Sequence, residues 1–225
     1  MKMNKLFATL GLVLTLGLVG CGPKEPDPVD PPTPTPGTET AEEFAATLKG
    51  KYAGKKILLT CVGYEGMSQA QNWLVDELGY TAKESESFVA LGENEFWCHK
   101  LADLDAEGLN TDYVVIAGVA WTGKGIAGVT SIEAETARAE KLAALRSSNK
   151  IAGLVLVEVA GNSNRGTNAD KLLNKVVPFA DELIIKSSAN SDDYFTNKIK
   201  DTNTAMVVAS TSSKLKAALV HLLKA

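Results

Sequence analysis

The stretch YVVIAGVAWTGKGIAGVTSIEAETARAEKL, Tyr113–Leu142, contains a strand pattern, a glycine-rich loop and a helix pattern in that order. Its first residues, Tyr113–Ala117, are apolar and rich in β-branched side chains without alternation, which is typical of a strand covered on both faces. Four glycines and Lys124 lie between Gly118 and Gly128. The spacing of Thr130-Ser-Ile-Glu133 is that of a capping box, so a helix is predicted to begin near Thr130 or Ser131.

The same order of strand and helix recurs along the chain and predicts an α/β fold. Further apolar runs predict strands at Lys56–Val62, Ile151–Val157, Glu182–Lys186 and Ala205–Ala209. Helical patterns lie at about 44–52, 68–78, 131–146, 168–177, 192–200 and 212–223. Repeated βα units favour a three-layer, mostly parallel, doubly wound sheet of five or six strands, Rossmann-like or flavodoxin-like. Between Tyr80 and Leu109 the pattern is ambiguous. Phe88–Leu91 predicts one more strand, and Glu95–Lys100 fits either a strand or the start of a helix.

The N-terminus predicts a lipoprotein signal peptide over residues 1–20. Lys2 and Lys5 precede an apolar run, Leu6–Val19, that is too short for a comfortable membrane span. The run ends in Leu18-Val19-Gly20-Cys21, which resembles the bacterial lipobox, in which the cysteine is acylated. The resemblance implies that Cys21 is the lipidation site. The protein would then be extracytoplasmic and lipid-anchored, on the outer face of the cell membrane or in an outer membrane. An ordinary cleaved signal peptide is the alternative.

A proline-rich tether is predicted to follow Cys21, extending to residue 40. Gly22–Thr40 contains seven of the chain's eight prolines and almost no apolar residue, so it cannot bury a core. In an extended polyproline conformation it would span about 60 Å. Residues 41–225 are expected to form a single α/β domain, because their length is sufficient for one buried core.

Charge and cysteine content exclude some functions and leave one question open. The formal net charge is −4, and it is −6 once the two lysines of the signal peptide are removed, so nucleic acid is not an expected partner. Cys61 and Cys98 remain as a pair that forms either a disulfide or two buried thiols. No spacing of histidines and cysteines suggests a metal site, and no cofactor is expected.

Two loops that follow successive predicted strands carry glycines, polar donors and one cation each. The first contains Gly123, Lys124 and Gly125, and the second contains Asn162, Asn164 and Arg165. A third loop begins at Gly63, after the first strand. Ligands of doubly wound sheets bind beyond the carboxyl ends of the strands. If the strands are neighbours, Lys124 and Arg165 face one crevice and predict a site for a small anionic ligand. The alternative is that these loops only connect strands to helices.

Catalysis has little support in the sequence. No nucleophile elbow is present, and no base can be assigned to Cys61. Glu133, Glu135, Arg138 and Glu140 are interpreted as a solvated helix face. Glu158, near the end of an apolar strand, is either a site residue or a paired charge. The first hypothesis is therefore a membrane-tethered module that binds a small anion. The alternatives are an envelope protein that contacts another protein, such as a transporter, and a cofactor-independent enzyme.

Four short motifs carry a resemblance to a known family. They are Gly123-Lys-Gly-Ile-Ala-Gly128 before a Glu/Arg helix, Asn164-Arg-Gly-Thr-Asn-Ala-Asp170, Phe179-Ala-Asp181 and Asp193-Tyr-Phe195. Together they resemble the domain of unknown function 6305 family of secreted bacterial α/β proteins. The resemblance covers the chain from about Lys55 to the C-terminus. It implies the α/β fold and an extracytoplasmic location, and it implies no activity.

Overall fold

The structure is a computed structural model that describes residues 40–46, 48, 50–63, 67–85, 88–98, 108–121, 131–158, 166–186, 191–209 and 211–224. The predicted signal peptide, Cys21 and nearly all of the predicted tether lie outside these residues. Among the helices that the structure describes, none is both long enough and apolar enough to cross a membrane.

A single all-parallel sheet of seven strands organises the described part of the chain. The strands are β1 (Lys56–Val62), β2 (Thr81–Glu84), β3 (Glu95–Cys98), β4 (Tyr113–Val119), β5 (Gly153–Glu158), β6 (Glu182–Lys186) and β7 (Ala205–Ala209). Their order across the sheet is β2-β3-β1-β4-β5-β6-β7, and every pairing is parallel. The prediction of an α/β fold is confirmed. The prediction of five or six strands is wrong, because the sheet has seven.

Six α-helices and one short 3₁₀ helix connect or flank these strands in the residues described. They are α1 (Ala41–Ala46), α2 (Ser68–Leu78), α3 (Ile132–Ser147), α4 (Thr167–Val176), α5 (Ser191–Ile199), α6 (Ser212–Leu223) and the 3₁₀ helix Val177–Phe179. Helix α3 begins where the capping spacing indicated. Ser131 is its N-cap, and the Ser131 side chain accepts a hydrogen bond from the backbone N–H of Ala134 at 3.1 Å. The sequence thus locates the entry into α3 correctly.

The sheet separates two hydrophobic cores. The first core lies between one face of the sheet and helices α3, α4 and α5, and includes Leu58, Val115, Leu156, Leu142 and Leu172. The second core lies on the other face, under α2 and α6, and includes Ile57, Ile116, Leu74 and Leu219. Alternate residues of each strand enter opposite cores, as strand geometry requires. This double burial explains why the strands appear in the sequence as continuous apolar runs.

The ambiguous region of the sequence contains both β2 and β3. Phe88–Leu91 is not a strand, contrary to the prediction. Phe88 instead packs edge-on against Trp97 and Tyr113, with ring centroids 5.0 Å and 5.6 Å apart. The strand at Glu95–Cys98 is one of the two options that the sequence left open. Strand β2, Thr-Ala-Lys-Glu, has no apolar run because it lies at the edge of the sheet and is largely exposed.

Cys61 and Cys98 are two buried thiols that are not joined by a disulfide. They lie on neighbouring strands in the second core, but Cys98 pairs with Leu59 rather than with Cys61. A two-residue offset along adjacent strands separates their Cα atoms by about 8 Å, which exceeds the roughly 7 Å that a disulfide can bridge. The sequence left open either a disulfide or two buried thiols, and the structure has two buried thiols.

Candidate functional site

The winding of the chain reverses between β1 and β4. After β1 the chain forms β2 and β3 on one side, and from β4 onwards it forms strands on the other side. Ligands of open α/β sheets bind at such a reversal, beyond the carboxyl ends of the strands. We call this side of the sheet the carboxyl edge. Its centre is formed by the ends of β1, β4 and β5, where Gly118 pairs with both Cys61 and Val157.

The two cationic loops of the sequence leave this edge from adjacent strands. One follows β4 and the other follows β5, and these strands are parallel neighbours. Lys124 and Arg165 are expected to share a crevice if these two strands are neighbours, and the strands are neighbours. The residues themselves, Gly123, Lys124, Gly125, Asn162, Asn164 and Arg165, lie outside the described residues. Gly63, which is also a predicted ligand-binding residue, lies within the residues that the structure describes.

Gly63 directly follows β1 and lies close to the backbone of Ala120, which directly follows β4. Its backbone φ is +76°, in the left-handed region. A Cβ at this position would lie 2.0 Å from the backbone oxygen of Ala120. The N–H of Ala120 in turn donates to the oxygen of Val62 at 3.2 Å. Only glycine fits both the conformation and the space here.

The N–H of Gly63 is already engaged by a carboxylate of the chain. It donates to Oε2 of Glu135 at 2.7 Å, and Glu135 is fully buried. Glu135 lies in the first turn of α3, where the helix dipole favours negative charge. The Glu135 carboxylate therefore occupies the place that an anionic ligand would take at the N–H of Gly63.

Arg138, one turn further along α3, supplies a buried positive charge beside Glu135. Its Nη2 donates to Oγ1 of Thr60 at 3.2 Å and to the oxygen of Cys61 at 2.9 Å. Its Nε lies 3.9 Å from Oε2 of Glu135. Burial lowers the pKa of the Arg138 guanidinium, and the negative charge of Glu135 acts in the opposite direction. The two side chains tie the start of α3 to the end of β1.

Glu158 adds a second buried carboxylate at the carboxyl edge. It is the last residue of β5 and is fully buried. Strand alternation directs its side chain towards the face that carries Leu154 and Leu156, which α3 and α4 cover. Buried ionisable groups concentrate at functional sites, because burying a charge is costly unless it is used or paired. The centre of the carboxyl edge thus contains two carboxylates and one guanidinium.

The interpretation of the α3 charges as a solvated face is wrong for Glu135 and Arg138. Glu133 and Glu140 are exposed, but Glu135 is fully buried and the side chain of Arg138 is only 12% exposed. The sequence does contain the signal that was missed. Glu135 lies three residues after Ile132 and four before Ala139, on the same helical stripe as these buried residues. A charge on an apolar stripe indicates a buried, partnered group.

Other residues of the family motifs hold the fold together. Asp170 on α4 accepts hydrogen bonds from Tyr194 Oη at 2.8 Å and from Lys198 Nζ at 2.6 Å, which joins α4 to α5. Asp181 accepts from Nε and Nη2 of Arg146 at 2.6 Å and 2.8 Å. Phe195 is buried in the first core. These motif residues therefore contribute to the packing of the helices and the stability of the fold.

The fold and the carboxyl edge define an all-parallel α/β protein with buried charges at the reversal of its sheet. The chain belongs to the domain of unknown function 6305 family, whose sequence profile matches residues 90–223. The match confirms the resemblance, and it begins at residue 90 rather than near Lys55. It includes Glu135, Arg138, Glu158 and both cationic loops, but not Gly63. No curated protein and no solved structure matches the chain.

Proposed function

We propose that the protein is a membrane-anchored, extracytoplasmic lipoprotein that binds a small anionic ligand at its carboxyl edge. The observation that carries the proposal is the adjacency of β4 and β5 beside the reversal of the sheet. Because β4 and β5 are neighbours, the loop that contains Lys124 and the loop that contains Arg165 begin at adjacent strand ends. The anchor is proposed from the sequence around Cys21. We also propose that the fold is Rossmann-like. The strand order differs from 3-2-1-4-5-6 by an exchange at one edge and by one added strand.

The buried charges narrow the class of ligand. Glu135 already accepts from the N–H of Gly63, so that donor is engaged within the chain. Arg138 is held by Thr60, Cys61 and Glu135. Contacts to the ligand are therefore assigned to Lys124, Arg165 and the loop N–H groups around Gly123, Gly125, Asn162 and Asn164. Together, Glu135, Arg138 and Glu158 carry a net charge of −1. Lys124 and Arg165 add two positive charges, so the five side chains carry a net charge of +1. A singly charged carboxylate balances this excess, whereas a multiply charged anion would be repelled by Glu158.

The first test is a thermal unfolding series with acetate, lactate, succinate, citrate and inorganic phosphate. A ligand that binds only the folded protein raises the unfolding temperature in proportion to the logarithm of its concentration. We expect a monocarboxylate to stabilise the protein more than citrate or phosphate does. No stabilisation by any of these anions would contradict the proposal.

The second test uses charge removal at the loops. Each charge-assisted contact contributes about 1.5–3 kcal/mol, so Lys124→Ala and Arg165→Ala should each weaken binding roughly ten- to a hundredfold. Their effects should be non-additive, because both residues contact one ligand. Lys200→Ala is the matched control, since it removes one exposed cation from the opposite edge of the sheet. If both loop variants bind as tightly as this control, the loops are only connections.

A further inference from the structure

A concave site lies at the edge of the sheet opposite the carboxyl edge, where strands β5, β6 and β7 begin. Three helix-to-strand connections meet there and line an open cavity of about 350 Å³. Its lining includes Arg146, Asn149, Phe179, Asp181, Asp201 and Asn203. The volume falls within the range of about 300–1,000 Å³ that is usual for small-molecule sites. We call this cavity the amino-edge cavity.

Phe179 presents an aromatic ring at this cavity. It is the last residue of the 3₁₀ helix, and its side chain is 46% exposed, although Val177 and Ala180 on either side are buried. Among the residues that the structure describes, Phe179 and Val75 are the exposed large hydrophobic side chains. Val75 lies on α2, on the other face of the sheet. Phe179 is thus an exposed aromatic ring placed at the wall of a cavity.

The charges around the amino-edge cavity disfavour an anionic ligand. The guanidinium of Arg146 donates to both carboxylate oxygens of Asp181 and, through Nη1, to Oδ1 of Asn149 at 3.0 Å. The positive charge of Arg146 is therefore balanced within the chain. Asp201 is exposed and adds a negative charge to the lining, next to the exposed cation of Lys200 in the sequence. A neutral ligand meets no electrostatic penalty here.

The polar groups of the lining are arranged to hydrogen-bond a neutral ligand. Asn149 has φ +54°, and its N–H donates to the oxygen of Arg146 at 3.1 Å. Because Nη1 of Arg146 holds the amide oxygen of Asn149, the amide NH₂ has a fixed direction for donating to a ligand. Asn203 adds an exposed amide and Asp201 an exposed carboxylate acceptor. Amide and carboxylate groups and an exposed aromatic side chain thus line the same cavity.

We propose that the amino-edge cavity binds a neutral saccharide. One face of a sugar ring presents C–H groups that stack on an aromatic side chain, and its hydroxyls pair with planar amide and carboxylate groups. Phe179 supplies the stacking face, and Asn149, Asp201 and Asn203 supply the hydrogen bonds. This site is separate from the carboxyl edge and does not depend on the anion-binding proposal.

The test is a titration of the ¹⁵N-labelled protein with cellobiose, maltose and N,N′-diacetylchitobiose, followed by amide chemical shifts. We expect at least one saccharide to give saturable shifts at Asn149, Phe179 and Asn203, with a Kd of about 1 mM or lower. Phe179→Ala should weaken that binding about tenfold, because the stacking contact is lost. Asn203→Ala is a second exposed variant for use if Phe179→Ala does not fold.

Two controls make the outcome decisive. Val75→Ala removes the other large hydrophobic side chain that is exposed among the described residues, and it should leave saccharide binding unchanged. The double variant Lys124→Ala/Arg165→Ala should also bind saccharide normally, which separates this site from the carboxyl edge. The proposal is overturned if none of the three saccharides gives saturable shifts. It is also overturned if Phe179→Ala and Asn203→Ala both bind as tightly as wild type, or if acetate shifts the same residues and the saccharides do not.

Discussion

Gly63 and Gly79 have the same left-handed backbone but very different surroundings. Gly63 has φ +76° and a prospective Cβ 2.0 Å from Ala120 O, whereas Gly79, which ends α2 at φ +69°, has nothing within 4 Å of its prospective Cβ. Gly63→Ala adds both backbone strain and a backbone collision, so we expect it to lower the free energy of unfolding by about 3 kcal/mol. Urea denaturation measures this difference.

Gly79→Ala is the matched control for this prediction. It adds the same left-handed strain without a collision, so it should cost only about 1 kcal/mol. Equal losses in the two variants would mean that the approach of Ala120 to Gly63 does not constrain the fold. A larger loss of unfolding free energy at Gly63 would support its role in the close approach of the backbone at Ala120 and in the hydrogen bond to Glu135.

At the scale of elements, Asp181 connects three parts of the fold. Its carboxylate accepts from Arg146 near the end of α3 and from the N–H of Leu154 on β5 at 2.8 Å, and it directly precedes β6. Burial would raise the pKa of Asp181, but the hydrogen bonds from Arg146 and Leu154 outweigh it and hold the pKa below its ordinary value of 3.8. Asp181→Asn should therefore cost about 2 kcal/mol at neutral pH.

The pH dependence of this loss has a defined sign. Because the pKa of Asp181 is lowered on folding, its contribution is present above the ordinary value of 3.8 and is lost as pH falls below it. The stability gap between wild type and Asp181→Asn should narrow between about pH 5 and pH 2. Asp76→Asn, on the exposed side of α2, should stay within about 0.5 kcal/mol of wild type. A gap that does not change with pH would contradict the assignment to Asp181.

The sequence predicted the elements with clear apolar patterns well and the edge of the sheet formed by β2 poorly, for a physical reason. Strands β1, β6 and β7 and helices α2 and α6 have the predicted bounds, because a continuous apolar run or clear amphipathicity marks each of them in the sequence. Strand β2 was missed because an edge strand made of Thr, Ala, Lys and Glu has no such signature. Phe88–Leu91 was mistaken for a strand because its apolar residues pack on the first core from a loop.

The candidate site was predictable only in outline. The loops that leave the carboxyl edge could be found from glycines and cations that follow strand patterns. The roles of Glu135 and Arg138 could not be found by charge counting, because partners from β1, Thr60 and Gly63, lie more than seventy residues away in sequence. The position of Glu135 on the apolar stripe of α3 is the local observation that would have indicated its burial.

At the scale of the whole molecule, the proposed anchor makes a direct prediction for Cys21. Cys21→Ser should abolish incorporation of a labelled fatty acid during growth, because the acylated thiol is removed. The protein should then be recovered as an unprocessed or soluble, non-acylated form. Fatty-acid labelling of the variant followed by mass spectrometry measures this outcome. Cys98→Ser removes a different cysteine and should remain labelled. Unchanged labelling of Cys21→Ser would rule out the lipobox.

The central position of β1 has a consequence for the order in which the fold is made. Its neighbours are β3 and β4, so Leu59 pairs with Cys98, and Lys56 pairs with Tyr113. Strand β1, the first of the described strands along the chain, therefore has no partner in the sheet until β3 has been made. Parallel pairing over such separations forms slowly, since a long loop must close before any contact is gained. Until those partners are made, β1 is an uncovered apolar strand, and such a strand favours aggregation during folding.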